Sequence, residues 1–277
     1  MPNITIDDRN VHFTVGGTGE VPLVFVHGGF GSSADLWRET IARLPPGYRG
    51  YAIDNFLHSD PPPGGFSVHS FARRLVGFSR ALDLRQPIVI GHSMGGVVCQ
   101  LAMIAAPEII GGGVLVGTGA STRNNALAAR LLEEMRAGLT REKVRDISRN
   151  WFENAPQAFF ERYVANAVQA PPDAMLAVQE SLVATNLEDR LDAIACPVLI
   201  VHGLRDTGRT LQHANGLRRG IRDSVLVVID ASGHSPMVDT PKEFDAAFHG
   251  FLASLPTRRA AFARHRHDQR QTNDRTA

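Results

Sequence analysis

The sequence predicts an α/β protein: a mostly parallel central sheet with helices on both faces and a helical insertion over one end. Three observations predict it. Short apolar runs recur at 22–26 (Pro-Leu-Val-Phe-Val), 87–90, 114–116, 197–201 and 225–229. Such runs suit strands buried on both faces, as in a parallel sheet. Segments with helical spacing separate them, as parallel neighbours require. Between about 121 and 192 the helical pattern continues without a good strand. The expected organisation is a core of 1–120 and 191–255, a helical lid of 121–190, and a tail of 256–277.

Taken in order, Val11-His12-Phe13-Thr14-Val15 alternates like a strand with one open face, and Gly16-Gly17-Thr18-Gly19 turns it. The run at 22–26 is a central strand. Ser32 or Ser33 caps a helix over 34–44. Residues 51–54 form a short strand, followed by an irregular loop containing Pro61-Pro62-Pro63-Gly64-Gly65. Phe71, Leu75 and Phe78 mark a helix over 68–82. The strand at 87–90 leads to a helix over 96–106, then to the strand at 114–116. In the insertion Leu127, Leu131 and Met135 share one face, and Met175, Val178 and Leu182 share another. The strand at 197–201, a helix near 211–217, the strand at 225–229 and a helix over 241–255 complete the core.

Composition bounds the function. A chain of 277 residues can bury one sizeable core. A hydrophobic content of 43% and a charged content of 21% are those of a soluble globular protein. A net charge of +1 creates no field to recruit nucleic acid or membrane. Cys99, in a predicted helix, and Cys196, before a predicted strand, read as buried free thiols. The N-terminal residues lack a signal-peptide pattern, and no apolar run approaches the ~18 residues of a membrane span. A cytoplasmic protein acting on a small molecule, with no nucleic-acid or membrane partner, is expected; no oligomeric state is specified. Arg258, Arg259, Arg264, Arg266, Arg270 and Arg275 make the tail basic, and it reads as solvated and disordered.

The chemistry concentrates at Gly91-His92-Ser93-Met94-Gly95. A serine between two glycines at a strand-to-helix turn is a nucleophile elbow. The turn is sharp enough that side chains two residues either side of the serine would clash. Alone, the pattern would arise by accident in about one such chain in ten. Three further motifs follow other strands: His27-Gly28-Gly29-Phe30, Gly203-Leu204-Arg205-Asp206 and Ser232-Gly233-His234.

Together these four motifs resemble the α/β-hydrolase fold superfamily, in its serine-nucleophile, esterase- and lipase-like branch, over about residues 10–255. The family's chain order of serine, acid and histidine is kept by Ser93, Asp206 and His234. The resemblance implies that His234 is the base for Ser93 and that Asp206 holds the His234 tautomer. It implies an oxyanion hole of backbone N–H groups from Met94 and, best, Gly29, with Phe30 as second choice. A competing acid, Asp230, ends the strand before His234 and reads as closing that strand. His27 is expected to brace the oxyanion loop and His92 to fill the elbow.

The chain departs from the family after Asp54. Relatives commonly carry a Gly-x-Gly-x-Ser turn there, and this chain reads Asn55-Phe56-Leu57-His58-Ser59-Asp60. Leu57 and His58 either pack locally or reach the site mouth. The haloalkane dehalogenases and epoxide hydrolases place Asp at the nucleophile position, which excludes them. Hydrolases of carbon–carbon bonds usually carry Asn before the serine and Trp after the histidine, where His92 and Ser235 stand. Phe30, His92, Trp151 and Phe159 are the candidate pocket residues, with packing of the lid helices as the rival role for the last two. Arg205 and Arg209 read as surface residues. No metal-binding spacing occurs, and neither metal nor organic cofactor is expected. The expected activity is a serine hydrolase of a carboxylic ester, lactone or thioester of a largely hydrophobic small molecule. The alternatives are a cofactor-free perhydrolase of haloperoxidase type, a lyase using the same residues, and a receptor without turnover.

Overall fold

Among the described residues eight strands form one sheet. The structure is a computed structural model describing residues 2–255 except 31 and 124. The basic tail of 256–277 lies outside the described residues. The strands are β1 (Asn3–Ile6), β2 (Arg9–Gly16), β3 (Val21–Val26), β4 (Tyr48–Ile53), β5 (Ile88–His92), β6 (Gly112–Val116), β7 (Val198–Gly203) and β8 (Ser224–Ile229). They lie in the order β1-β2-β4-β3-β5-β6-β7-β8. The antiparallel pairings are β1 with β2 and β2 with β4; the remaining pairs are parallel. β3, β5, β6 and β7 are buried along nearly their whole length, which is why they read as unbroken apolar runs.

The helices are α1 (Arg38–Ala42), α2 (Val68–Ala81), α3 (Met94–Ala105), α4 (Ala126–Arg136), α5 (Arg141–Arg149), α6 (Gln157–Ala167), α7 (Pro172–Ala184), α8 (Leu211–Gly220) and α9 (Pro236–Asp239). A final helix, α10, spans 241–255. α2 starts where Ser67 and Ser70 cap each other, side chain to backbone N–H, both at 3.0 Å. α3 is buried on almost every side, from Met94 through Met103. α10 turns Phe244, Phe248, Phe251 and Leu252 inward, and Phe248 meets Phe25 of β3 edge-on at 6.3 Å.

Two elements differ from expectation. β1, a four-residue edge strand, is too short to announce itself in the hydrophobic pattern and is not predicted. The helix expected over 34–44 is a 3₁₀ turn at Ala34–Trp37 followed by a short α1, with Ser33 capping the turn at the Asp35 N–H. Trp37 and Leu36 are buried against the sheet, and this tertiary burial sets the geometry there. Cys99 and Cys196 are both buried, and no disulfide joins them.

The α4–α7 insertion leaves the core after β6 and returns before β7. Its neck is closed by a bridge between Ser121 and Asn186 and by Leu187 N–H donating to Ala120 O at 2.9 Å. α4 packs on α7 and α5 on α6. α6 is fastened to the core through Arg162, which pairs with Asp35 at 2.5 Å and Glu39 at 2.7 Å.

Candidate active site

Ser93 stands at the carboxyl end of β5 with φ 52° and ψ −116°. A non-glycine residue in this region costs about 1–3 kcal/mol and persists only where its surroundings over-determine it. They do so here. Ser93 N–H donates to Val116 O at 2.9 Å, while Ser93 O accepts from Gly96 N–H at 3.0 Å and Thr118 Oγ1 at 2.7 Å. The flanking glycines have a steric cause. A Cβ on Gly91 would lie 2.2 Å from Gly95 O, and one on Gly95 would lie 2.4 Å from Val26 O. The turn therefore brings backbone against backbone, and only glycine fits.

His234 Nδ1 lies 2.7 Å from Asp206 Oδ2, and both side chains are almost fully buried. A carboxylate only accepts, so Nδ1 carries the proton and Nε2 is left as a base. The other oxygen, Asp206 Oδ1, accepts from Gly208 N–H and Arg209 N–H, each at 2.8 Å. Burial pushes the Asp206 carboxyl up. The His234 ring, its hydrogen bond and the Arg209 N–H outweigh that and hold it below the usual carboxylate range. Asp230, the competing acid, is exposed at the end of β8.

The two proposed oxyanion donors lie side by side: a Cβ on Gly29 would sit 3.6 Å from Met94 Cβ. Met94 is the first residue of α3, so its N–H has no helical acceptor. His27 secures the adjoining loop. Its Nε2 accepts from Asn55 N–H at 3.0 Å, so its Nδ1–H donates to Gly28 O at 2.7 Å. Burial lowers the His27 pKa and favours this neutral form. Asn55 thus belongs to the brace. Leu57 is half-buried, and His58 is exposed with its ring edge-on to His12 at 5.4 Å.

Ser93 and His234 line one cavity of about 50 Å³ together with Asn125, Leu127, Ala128, Leu131, Trp151, Gln179, Leu182, Gly208 and Arg209. Of the four candidate pocket residues, Trp151 is placed here, its ring 5.3 Å from that of His234. Phe30 stands behind it, 6.3 Å from the Trp151 ring. His92 packs against the back of His234, centroid to centroid at 4.8 Å, and its Nε2–H donates to His234 O at 3.1 Å. Burial pushes its pKa down to about 3, so it stays neutral. Phe159 packs inside the insertion on Phe152 at 5.2 Å. A larger groove of about 850 Å³ adjoins the cavity and shares Asn125, Leu127 and Gly208 with it. The hydrogen bond from Asn125 Nδ2 to Gly208 O, 2.7 Å, joins residues that line both spaces.

Sequence reasoning missed three residues here. Arg209, expected at the surface, is 4% exposed. Asp206 forms an Asx turn with Gly208 and Arg209, and this folds the loop back so that the arginine side chain is buried. The signal was the Asp-Thr-Gly step itself. Gln179, on α7, reaches the cavity through helix packing that leaves no local motif. Asp239 accepts from Glu153 N–H (2.9 Å), Asn154 N–H (3.1 Å) and Gly233 N–H (3.2 Å), clamping the insertion to the His234 loop. Among the described residues no group of three His, Cys, Asp or Glu is placed to hold a metal, and no helix is long and apolar enough to cross a membrane.

Residues 23–247 match the family model of the Alpha/beta hydrolase family. The chain is similar to 3-oxoadipate enol-lactonase 2 of Acinetobacter baylyi, with 23% identity over 90% of this chain and 95% of that protein. It is similar to a non-heme chloroperoxidase of Streptomyces lividans, with 28% identity over 91% and 94%. A hydrolase from Pseudomonas aeruginosa shares the fold at a TM-score of 0.81, with 22% identity over 91% of this chain and 97% of that one.

Proposed function

The chain belongs to the alpha/beta hydrolase family, and on that premise we propose that it is a serine hydrolase of a carboxylic ester, lactone or thioester. The observation that carries the reading is the buried Asp206–His234 pair at 2.7 Å, opening with Ser93 onto one cavity. Ser93 Oγ attacks the carbonyl carbon while His234 Nε2 takes its proton. The imidazolium formed is stabilised by Asp206. The N–H groups of Gly29 and Met94 hold the tetrahedral oxyanion, and each such donor is worth about 3 kcal/mol in the transition state. Collapse expels the alcohol or thiol with the proton from His234. Water, deprotonated by His234, then releases the acid and restores Ser93. Leu127, Leu131, Leu182 and Trp151 give the substrate an apolar wall.

The cavity is far smaller than the ~300 Å³ of an ordinary ligand pocket. In this reading α4–α7 act as a lid, and substrate enters when α4 and the 207–210 loop part.

A fluorophosphonate probe together with p-nitrophenyl butyrate tests the proposal. The wild type should be labelled and should hydrolyse the ester; Ser93→Ala should lose both. Full hydrolysis by Ser93→Ala overturns it. The similarity to the chloroperoxidase favours one second reading, perhydrolysis, in which hydrogen peroxide replaces water at the acyl-enzyme and a peracid leaves. Peroxide-dependent bromination of monochlorodimedone in acetate, lost in Ser93→Ala, would identify it.

A further inference from the structure

Among the described residues Arg209 is the one buried cation on the wall of the Ser93 cavity. Its Nη1 donates to Ser121 O at 2.7 Å. The opposing charge it senses is Asp206, and both oxygens of that carboxylate are already engaged by His234, Gly208 and Arg209's own N–H. Among the described residues Arg209 forms no ion pair. Burial lowers its pKa to about 10, so the guanidinium remains charged at neutral pH. A buried charge that makes no direct ion pair is costly, and a guanidinium is built to take a planar carboxylate through two parallel hydrogen bonds. A second donor stands on the same wall: Trp151 lines the cavity, and its buried Nε1 has no partner among the described residues.

We propose that Arg209 binds a carboxylate of the substrate, so that the enzyme acts on an ester, lactone or thioester that is itself an acid. The inference rests on the serine-hydrolase reading above. The apolar residues take the hydrocarbon part, and Arg209 fixes the charged end relative to Ser93. The Arg209 N–H that holds Asp206 belongs to the backbone, so substitution of the side chain leaves that bond in place.

The test compares p-nitrophenyl monoesters of a homologous series of linear dicarboxylic acids, each with its neutral methyl p-nitrophenyl diester. The wild type should prefer the monoester of the best-fitting length by about tenfold or more in kcat/KM. Arg209→Met should lower the monoester-to-diester ratio by about thirtyfold, the scale of one charge-assisted interaction, and Arg209→Lys should restore part of it. Equal loss on both members of each pair would make Arg209 a structural tie to Ser121 and overturn the proposal. So would a wild type that prefers the diesters throughout. If Arg209→Met does not fold, the wild-type ratio decides alone. A wild type that is neither labelled by fluorophosphonate nor active on any ester would instead overturn the serine-hydrolase reading.

Discussion

The two sides of the Ser93 cavity are built differently. The floor is made of short loops leaving β3, β5, β7 and β8, and Ser93, Asp206 and His27 there are each tied to backbone groups. Ser93 is tied through Val116, Gly96 and Thr118, Asp206 through Gly208 and Arg209, and His27 through Asn55. The roof is made of α4–α7, whose contacts with the floor are made mostly by its own side chains, such as Trp151 over His234 and Tyr163 OH on the backbone Phe30 O at 3.3 Å. The exception is the Asp239 clamp. The contrast separates two tasks. Loops at strand ends set where a reacting atom stands, while packing of an insertion sets what can reach it.

The sharpest break of this contrast is on the floor. Asp206→Asn keeps the shape of the loop but offers His234 a different partner. We expect turnover to fall by about 10⁴-fold with the fold intact, the scale seen when a serine-hydrolase acid is replaced by its amide. Asp230→Asn, on an exposed residue, should stay near wild type. Steady-state hydrolysis of p-nitrophenyl butyrate, with circular dichroism as a check on folding, reads the difference. Loss confined to the position 230 variant would move the acid to Asp230.

The same contrast explains what the sequence disclosed. The floor was legible because its constraints are local. Gly91 and Gly95 must be glycine where backbone meets backbone, and strands buried on both faces must be apolar throughout. The roof was legible only as helices. Whether Phe159 or Gln179 faces Ser93 depends on how α6 and α7 sit on distant residues, and helical spacing gives a face without saying what meets it. Arg209 falls between the two. Its loop motif was visible, but its burial depends on Ser121, 88 positions away. Asp239 was equally hidden, because all three of its donors are backbone N–H groups, which any sequence supplies.

Glycines measure the two regions by stability. Alanine at position 95 would put Cβ 2.4 Å from Val26 O and 2.5 Å from His27 O, so β3 and α3 would have to separate. Overpacking against backbone should cost about 3 kcal/mol. Gly138, between α4 and α5, has φ +92°, and a Cβ there would meet none of the described residues within 4 Å, so Gly138→Ala adds only backbone strain. That should cost about 1 kcal/mol. Urea denaturation of both variants checks the order, and a Gly138→Ala cost equal to that of Gly95→Ala would remove the distinction between floor and roof.

The smallest expected effect is a difference of sign with pH. The folded-state pKa of Asp206 lies below its ordinary 3.8, because its interactions with His234 and Arg209 N–H outweigh burial. In acid the unfolded chain therefore binds this proton first, and the stability Asp206 contributes is present above about pH 4 and lost as pH falls through the folded value. Asp239 is the reverse. Burial pushes its carboxyl above 3.8 despite three N–H donors, so the folded chain takes up the proton first. Its contribution is fully present below 3.8 and declines as pH rises through the folded value. Urea midpoints measured between about pH 3 and 6 should therefore diverge in opposite directions. The gap between wild type and Asp206→Asn should narrow on acidification, while the gap for Asp239→Asn should widen. Parallel trends would mean that the carboxylate under the roof is as well solvated by its N–H donors as the one on the floor, and that the clamp holds a charge as securely as the loop does.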